Sequence, residues 1–191
     1  MKILICGVGA IGSNLTARLV ADLKGQREIT VLDKDKVEER NTTAGTQFYT
    51  PDQVGLTKVE ALQFNIYKWY QREINIFEGD IIEWIGQSPK QDLVIDCFDN
   101  HKARKVTNAF KGFTELIHLG FSQDFTFAIE WAENYKTPAD LTSGFDICTV
   151  AGAGAFVNSV ASLGSLVVEE FINNNRKLEV VGGKFTHSLI K

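Results

Sequence analysis

The sequence predicts an α/β protein: a Rossmann-like, doubly wound, mostly parallel sheet with antiparallel C-terminal strands. Three observations carry this expectation. Strand-like runs alternate with stretches of helical periodicity, a glycine-rich turn joins the first run to the first helix, and Gly182-Gly183 separates two alternating runs near the end. The 191 residues are 44% apolar and 23% charged, which excludes intrinsic disorder and suffices for one core, so residues 1–191 are read as a single domain.

Residues 2–6 (KILIC) are a short apolar run that meets Gly7, and Ile11, Leu15, Leu19 and Leu23 then recur every four positions, giving strand, turn and helix. Glu28 to Leu32 is β-branched and ends in Asp33. Lys34 to Thr50 is polar, contains Gly45, and reads as a long, mobile connection. Thr50-Pro51-Asp52 marks a helix start, with Leu56, Val59, Leu62, Ile66 and Trp69 as its apolar face. Ile74 to Phe77 and Leu93 to Cys97 are further strands, separated by a helical turn at Ile81 to Ile85 and the Ser88-Pro89 break. A helix over Lys102 to Phe110 precedes a strand at Leu116 to Leu119. Phe125 to Trp131 alternates like a strand with one exposed face. The loop Asn134 to Asp146, the apolar helix Ala155 to Ile172 and the glycine-marked hairpin complete the chain.

Composition narrows the function. Lys and Arg total 20 against 24 Asp and Glu, a net charge of −4, so no basic field exists for a phosphate backbone and no nucleic-acid partner is expected. Cys6, Cys97 and Cys148 form neither a C-x-x-C pair nor a disulfide framework, which argues against structural zinc. The opening MKILICGVGAI imitates a short signal peptide, but glycines interrupt it. No comparable apolar run of about 18 residues is read elsewhere. No membrane partner is therefore expected, and the chain is placed in a reducing cytoplasm.

Gly7-x-Gly9-x-x-Gly12 follows a strand and opens a helix, the arrangement in which backbone N–H groups and the helix dipole face a phosphate. Asp33, at the end of the second strand, stands where a carboxylate accepts hydrogen bonds from a ribose. Together they point to an adenosine nucleotide. Tight strand–helix turns also use glycine for packing alone, and the motif does not choose between NAD and ATP.

The polar residues further on extend the pattern. The order Gly7-x-Gly9-x-x-Gly12, Asp33-x-Asp35, Asn41, Val54-Gly55-x-x-Lys58, Asp96-x-x-Asp99-Asn100, Arg104 resembles the ThiF/MoeB/HesA family and the adenylation domain of ubiquitin-activating enzymes. The likeness resumes at Cys148-Thr-Val-Ala-Gly152. The resemblance implies ATP-dependent activation of the C-terminal carboxylate of a ubiquitin-like or sulfur-carrier protein as an acyl-adenylate. ATP and magnesium are the cofactors it implies. Asp99 would hold magnesium between the phosphates, Lys58 would face them as a point charge, and Asn41 would donate to the same group. Asp33 and Asp35 would hold the sugar, beside Asn100. Blander readings stand next to these: Lys58 as a solvated helix lysine, Asn41 as a loop residue, Asp99-Asn100 as a helix cap.

Cys148 is read either as the thiol that receives the activated acyl group or as a small buried hydrophobe. Cys6 and Cys97 are read as core, His118 and His187 as structural, Trp69-Tyr70 as packing, and His101 as a minor candidate for nucleotide contact. The role of Arg104 stays open. The sequence departs from the family in lacking the Arg-Gln pair a few residues after the asparagine: only Gln47 remains, and no arginine lies between Asn41 and Lys58. Arg40 immediately precedes Asn41, but in an extended segment adjacent side chains point opposite ways. The N-terminal helix that lends an arginine to a partner subunit, and the paired C-x-x-C zinc motifs, are also missing from the pattern. Small and apolar residues on several sides of the late helix suit burial or a subunit contact, and a homodimer is expected. The competing functions are a non-catalytic nucleotide- or tail-binding partner of an active subunit and, third, an NAD-dependent oxidoreductase.

Overall fold

The computed structural model describes residues 1–22, 27–43, 45–87, 90–138 and 145–183, and the backbone of 186–190. Its strands are β1 (Lys2–Cys6), β2 (Glu28–Asp33), β3 (Asn75–Glu78), β4 (Leu93–Asp96), β5 (Glu115–Phe121), β6 (Phe127–Trp131), β7 (Glu179–Gly183) and β8 (Thr186–Ile190). The helices are α1 (Ala10–Asp22), α2 (Lys58–Tyr70), α3 (Ile81–Gln87), α4 (His101–Ala109) and α5 (Ala153–Asn174). The strands form one sheet in the order β3-β2-β1-β4-β5-β6-β7-β8. The pairs from β3 through β5 are parallel, and β5-β6, β6-β7 and β7-β8 are antiparallel. The strand order reverses at β1, which opens a crevice at the carboxyl ends of β1 and β4, where ligands of doubly wound sheets collect.

Strand alternation sorts the core into two layers. Ile3 and Ile5 of β1 face a cluster with Leu15 and Leu19 of α1, Leu62 and Ile66 of α2, and Val157 and Val160 of α5. Leu4 and Cys6 face the other side, with Ile81 and Trp84 of α3. Successive side chains of a strand point to opposite faces, so the continuous apolar run of β1 is what a strand covered on both sides requires.

Several expectations need correction. The predicted helix start at Thr50-Pro51 is only a short 3-10 turn, Pro51–Gln53. The chain then bends through Gly55 at φ +96°, Lys36 pairs with Thr57, and α2 begins at Lys58. Thr57 caps it by accepting from the Glu60 amide, while the Glu60 carboxylate accepts from the Thr57 hydroxyl at 2.7 Å. Leu56 thus precedes the helix, and Trp69 is 66% exposed instead of packed, although Tyr70 does pack on the core.

Phe125 lies in a turn at φ +63°, and β6 starts at Phe127. The tail forms the expected hairpin, but Gly182 and Gly183 belong to β7, paired with His187 and Thr186. Helix α5 has 22 residues and, by length and composition, is apolar enough to cross a membrane, contrary to the expectation that no such run exists. Here Val157, Val160, Ala161 and Val168 lie in the core against the sheet and α1, so its apolar character serves burial. Leu23, Ser88-Pro89, residues 139–144 of the expected loop and the His187 side chain lie outside the described residues.

The connection expected to be mobile is tied down. Val37, Asn41, Thr46 and Tyr49 are buried. Asn14 of α1 donates to the Thr46 carbonyl at 2.9 Å, and the Phe48 amide donates to Ser13 Oγ at 3.1 Å. The Tyr49 hydroxyl donates to the Val8 carbonyl at 2.6 Å. Polar composition alone suggested a loose loop; long-range partners satisfy its backbone instead.

Candidate functional site

The glycine turn shows three different uses of glycine. Gly7 adopts φ +81°, in the left-handed region, and a Cβ there would lie 3.0 Å from the Phe98 ring. At Gly12 a Cβ would sit 1.9 Å from the Gly7 carbonyl oxygen, so α1 leaves β1 only because this residue has no side chain. At Gly9 a Cβ would meet nothing within 4 Å. Gly7 and Gly9 line a cavity of about 580 Å³ beside the turn, whereas Gly12 is not among its lining residues and serves packing. The first turn of α1 carries no acidic residue, leaving the positive end of its dipole available to an anion.

Asp33 ends β2 beside this turn. Its carboxylate accepts from the Val8 amide at 2.8 Å and from the Asp35 amide at 2.9 Å. Burial pushes its pKa above the usual Asp value, and the Lys58 charge followed by the two amides opposes that rise. Lys58 opens α2, its amide bonded to the Asp35 carbonyl and its Nζ 3.3 Å from Asp35 Oδ2. Its side chain is mostly buried, so it is no solvated helix lysine.

Asn41 belongs to a 3-10 turn, Glu39–Thr42. Its Oδ1 accepts from the Glu38 amide at 2.8 Å, which leaves its amide N–H groups as the donors it offers to the cavity. The turn also corrects the expectation for Arg40. The segment is not extended, and Arg40 and Asn41 line the same cavity. Arg40 is held by Glu38 at 2.7 Å and by Asp146 at 3.0 Å.

Asp146 connects this rim to Cys148, whose amide it accepts at 2.9 Å. Burial raises the Asp146 carboxyl, but the Cys148 amide and Arg40 outweigh it and leave the pKa below the ordinary value. Cys148 is buried, lines the cavity, and receives hydrogen bonds at sulfur from Thr46 Oγ1 at 3.3 Å and Gln47 Nε2 at 3.2 Å. Cys6 is core as expected. Cys97, read as core, is only half-buried by its surface and lines the cavity. Burial and then the Asp96 charge push its thiol far above the usual range.

Asp99 is exposed on the cavity wall after β4, and Asn100 caps α4 by accepting from the Ala103 amide at 2.8 Å. For Asn100 the structure therefore supplies the capping role directly. Arg104 is buried and donates to the Tyr135 hydroxyl at 3.0 Å and to the Leu119 carbonyl at 2.7 Å, pinning α4 to β5. Beneath this wall the sequence reading missed a buried network. Asp96 accepts from the Phe98 amide at 2.9 Å and pairs with His118 at 2.7 Å, and the imidazole stacks on Tyr135 at 3.6 Å between ring centroids. Asp96 was visible only as a motif position, and His118 sits on another strand. His101 lines the cavity with its Nδ1 2.8 Å from the Pro138 carbonyl.

The expected residues Gly7, Gly9, Asp33, Asp35, Asn41, Lys58, Asp99, Asn100 and Cys148 thus face one cavity. Among the described residues no group of three or more His, Cys, Asp or Glu could hold a metal. Magnesium commonly uses one or two carboxylates plus substrate phosphates, so Asp99 fits a cation shared with a nucleotide and does not fit a cage made of protein alone.

Comparison with known proteins bears on the family and the fold. The ThiF family model matches residues 1–178. Ubiquitin-like modifier-activating enzyme 5 of Caenorhabditis briggsae is 27% identical over a 207-residue alignment covering 96% of this chain and 47% of that protein. The enzyme of the same name from Drosophila mojavensis is 36% identical over 120 residues, 55% of this chain and 29% of that protein. The crystal structure of E. coli MccB with ATP superposes with a TM-score of 0.70 at 16% identity, over 100% of this chain and 62% of that one. Another structure of E. coli MccB gives 0.75 at 19%, over 99% and 61%. The chain spans about half or less of these curated relatives and under two thirds of the MccB chains. At such identities the solved structures show the shared fold.

Proposed function

The chain belongs to the ThiF family, and on that footing we propose that it is an ATP-dependent adenylyltransferase. Its substrate is the C-terminal carboxylate of a ubiquitin-like or sulfur-carrier protein. The observation that supports this reading is that Lys58 and Asp99 line the same cavity as the glycine turn. A dinucleotide oxidoreductase needs the turn and Asp33 but has no use for that pair.

In the reaction a carboxylate oxygen attacks the α-phosphorus of ATP, the bond to the bridging oxygen breaks, and pyrophosphate leaves. Two anions must meet, and one pair of unit charges about 4 Å apart repels by roughly 4 kcal/mol at an effective dielectric near 20. The α1 N-terminus, Lys58 and the Asn41 amide offset that repulsion, while Asp33 and Asp35 accept from the sugar. Asp99 would hold magnesium, which when bound would supply positive charge against the phosphates. Cys148 then serves as the acyl acceptor: its sulfur forms a thioester with the acyl carbon, the bond from that carbon to the AMP phosphate oxygen breaks, and AMP and the thiol proton depart.

ATP–pyrophosphate exchange with magnesium, labelled pyrophosphate and candidate carriers tests the first step. Exchange is expected, and Asp99→Ala lowers it by about a hundredfold or more, since a metal clamp supplies several kcal/mol. Unchanged exchange in Asp99→Ala refutes the metal role, and tighter binding of NADH than ATP returns the oxidoreductase reading. Tight ATP binding without exchange under any carrier favours the non-catalytic partner, a reading motivated by the missing arginine between Asn41 and Lys58. An ATP-dependent, thiol-sensitive adduct lost in Cys148→Ala tests the second step. Leu166, 62% exposed on α5, marks the face we assign to a homodimer, measurable by light scattering.

A further inference from the structure

A guanidinium offers a phosphate several donors in a planar fork where a lysine offers a point charge, and the stretch from Asn41 to Lys58 provides no arginine. Among the described residues two arginines line the cavity, Arg40 and Arg104. Arg104 is buried and committed to Tyr135 and Leu119. Arg40 is about half exposed at the rim, with its Nε on Glu38 and its Nη1 on Asp146. Those bonds occupy two of the five N–H donors of a guanidinium.

We propose that Arg40 is the phosphate-facing arginine of the nucleotide site, parked on Glu38 and Asp146 until phosphates draw it in. The proposal rests on the ATP reading above and goes beyond it in naming the cation and its resting partners. The 3-10 turn brings Arg40 to the cavity that Asn41 and Lys58 also line. Both carboxylates that hold it form ion pairs at a solvent-facing rim, the kind that contribute little and yield readily to a more highly charged anion. Asp146 has a second partner to keep, because its Oδ1 caps the Cys148 amide at 2.9 Å. Departure of the guanidinium therefore leaves the Cys148 turn capped.

Calorimetry on the full chain tests this, with magnesium-ATP, AMP and adenosine titrated into wild type, Arg40→Ala and Asp146→Asn. Arg40→Ala is expected to weaken ATP about tenfold, the scale of one lost charge-assisted contact, while adenosine affinity and melting temperature hold. Asp146→Asn, which weakens one of the two resting pairs and leaves the one to Glu38, is expected to tighten ATP. Equal ATP affinity in Arg40→Ala and wild type overturns the proposal, as does a parallel loss of adenosine, which marks a merely structural residue. Failure of wild type to bind ATP is a separate result: it removes the ATP reading and this inference together.

Discussion

The floor and the rim of the cavity are built on opposite principles. On the floor, the backbone groups of the turn after β1 are each tied down: the Gly7 amide donates to the Leu32 carbonyl, the Val8 amide donates to the Asp33 carboxylate, and Gly12 lies against the Gly7 carbonyl. At the rim the side chains of Arg40 and Asp146 pair across 106 positions in sequence, and the Gln47 side chain donates to the Cys148 sulfur. A floor of this kind leaves no room for a side chain at Gly7 or Gly12, while a rim of exposed ion pairs can be rearranged at little cost. The same cavity is thus rigid where a phosphate would be cradled and adjustable where the reacting groups would meet.

The contrast has measurable consequences. The largest belongs to the buried network beneath the Asp99 wall. His118→Ala removes one of the buried hydrogen-bond partners of Asp96 together with the stack on Tyr135, and should destabilise by about 3 kcal/mol in urea unfolding. Gly12→Ala forces a Cβ onto the Gly7 carbonyl and should cost about 1–3 kcal/mol. Gly9→Ala has open space and should leave stability within about 0.5 kcal/mol while weakening ATP, since its methyl occupies the cavity wall. Matching losses of stability at Gly9 and Gly12 would erase the distinction between a binding glycine and a packing one. Asp146→Asn, on the rim, should stay within about 1 kcal/mol of wild type.

The smallest effect is a titration. Asp33 titrates above the ordinary Asp value because it is buried, and Lys58 holds that rise in check. Folded Asp33 therefore keeps its proton to higher pH than unfolded Asp33 does. Its contribution to stability is fully present below the unfolded value and declines as pH rises through the folded midpoint. Lys58→Met should move that midpoint further up, read by carbon NMR of the Asp33 carboxyl. A midpoint that stays put would mean that Lys58 acts elsewhere.

Much of the floor was legible because its signals are local. The glycine spacing, the Asp33 position and the β-rich runs all act within a few residues of where they are read. The start of α2 was misplaced because Thr50-Pro-Asp-Gln53 and Thr57-Lys-Val-Glu60 both carry a capping-box pattern, and only tertiary pairing of Lys36 with Thr57 decides between them. Trp69 fitted the helical periodicity yet faces outward, since the core contacts of α2 are filled by Val59, Leu62 and Ile66. The rim and the Asp96–His118 pair were not legible, because their partners come from separate strands and loops that no local pattern connects.

The turn Glu39–Thr42 makes chain length itself a determinant of chemistry. With about three residues per revolution, inserting or deleting one residue there would swing the next side chain through roughly 120° and carry the guanidinium off the cavity. Substitutions along this stretch should accordingly be accepted far more often than single-residue gaps, a bias that a library mixing both would expose directly.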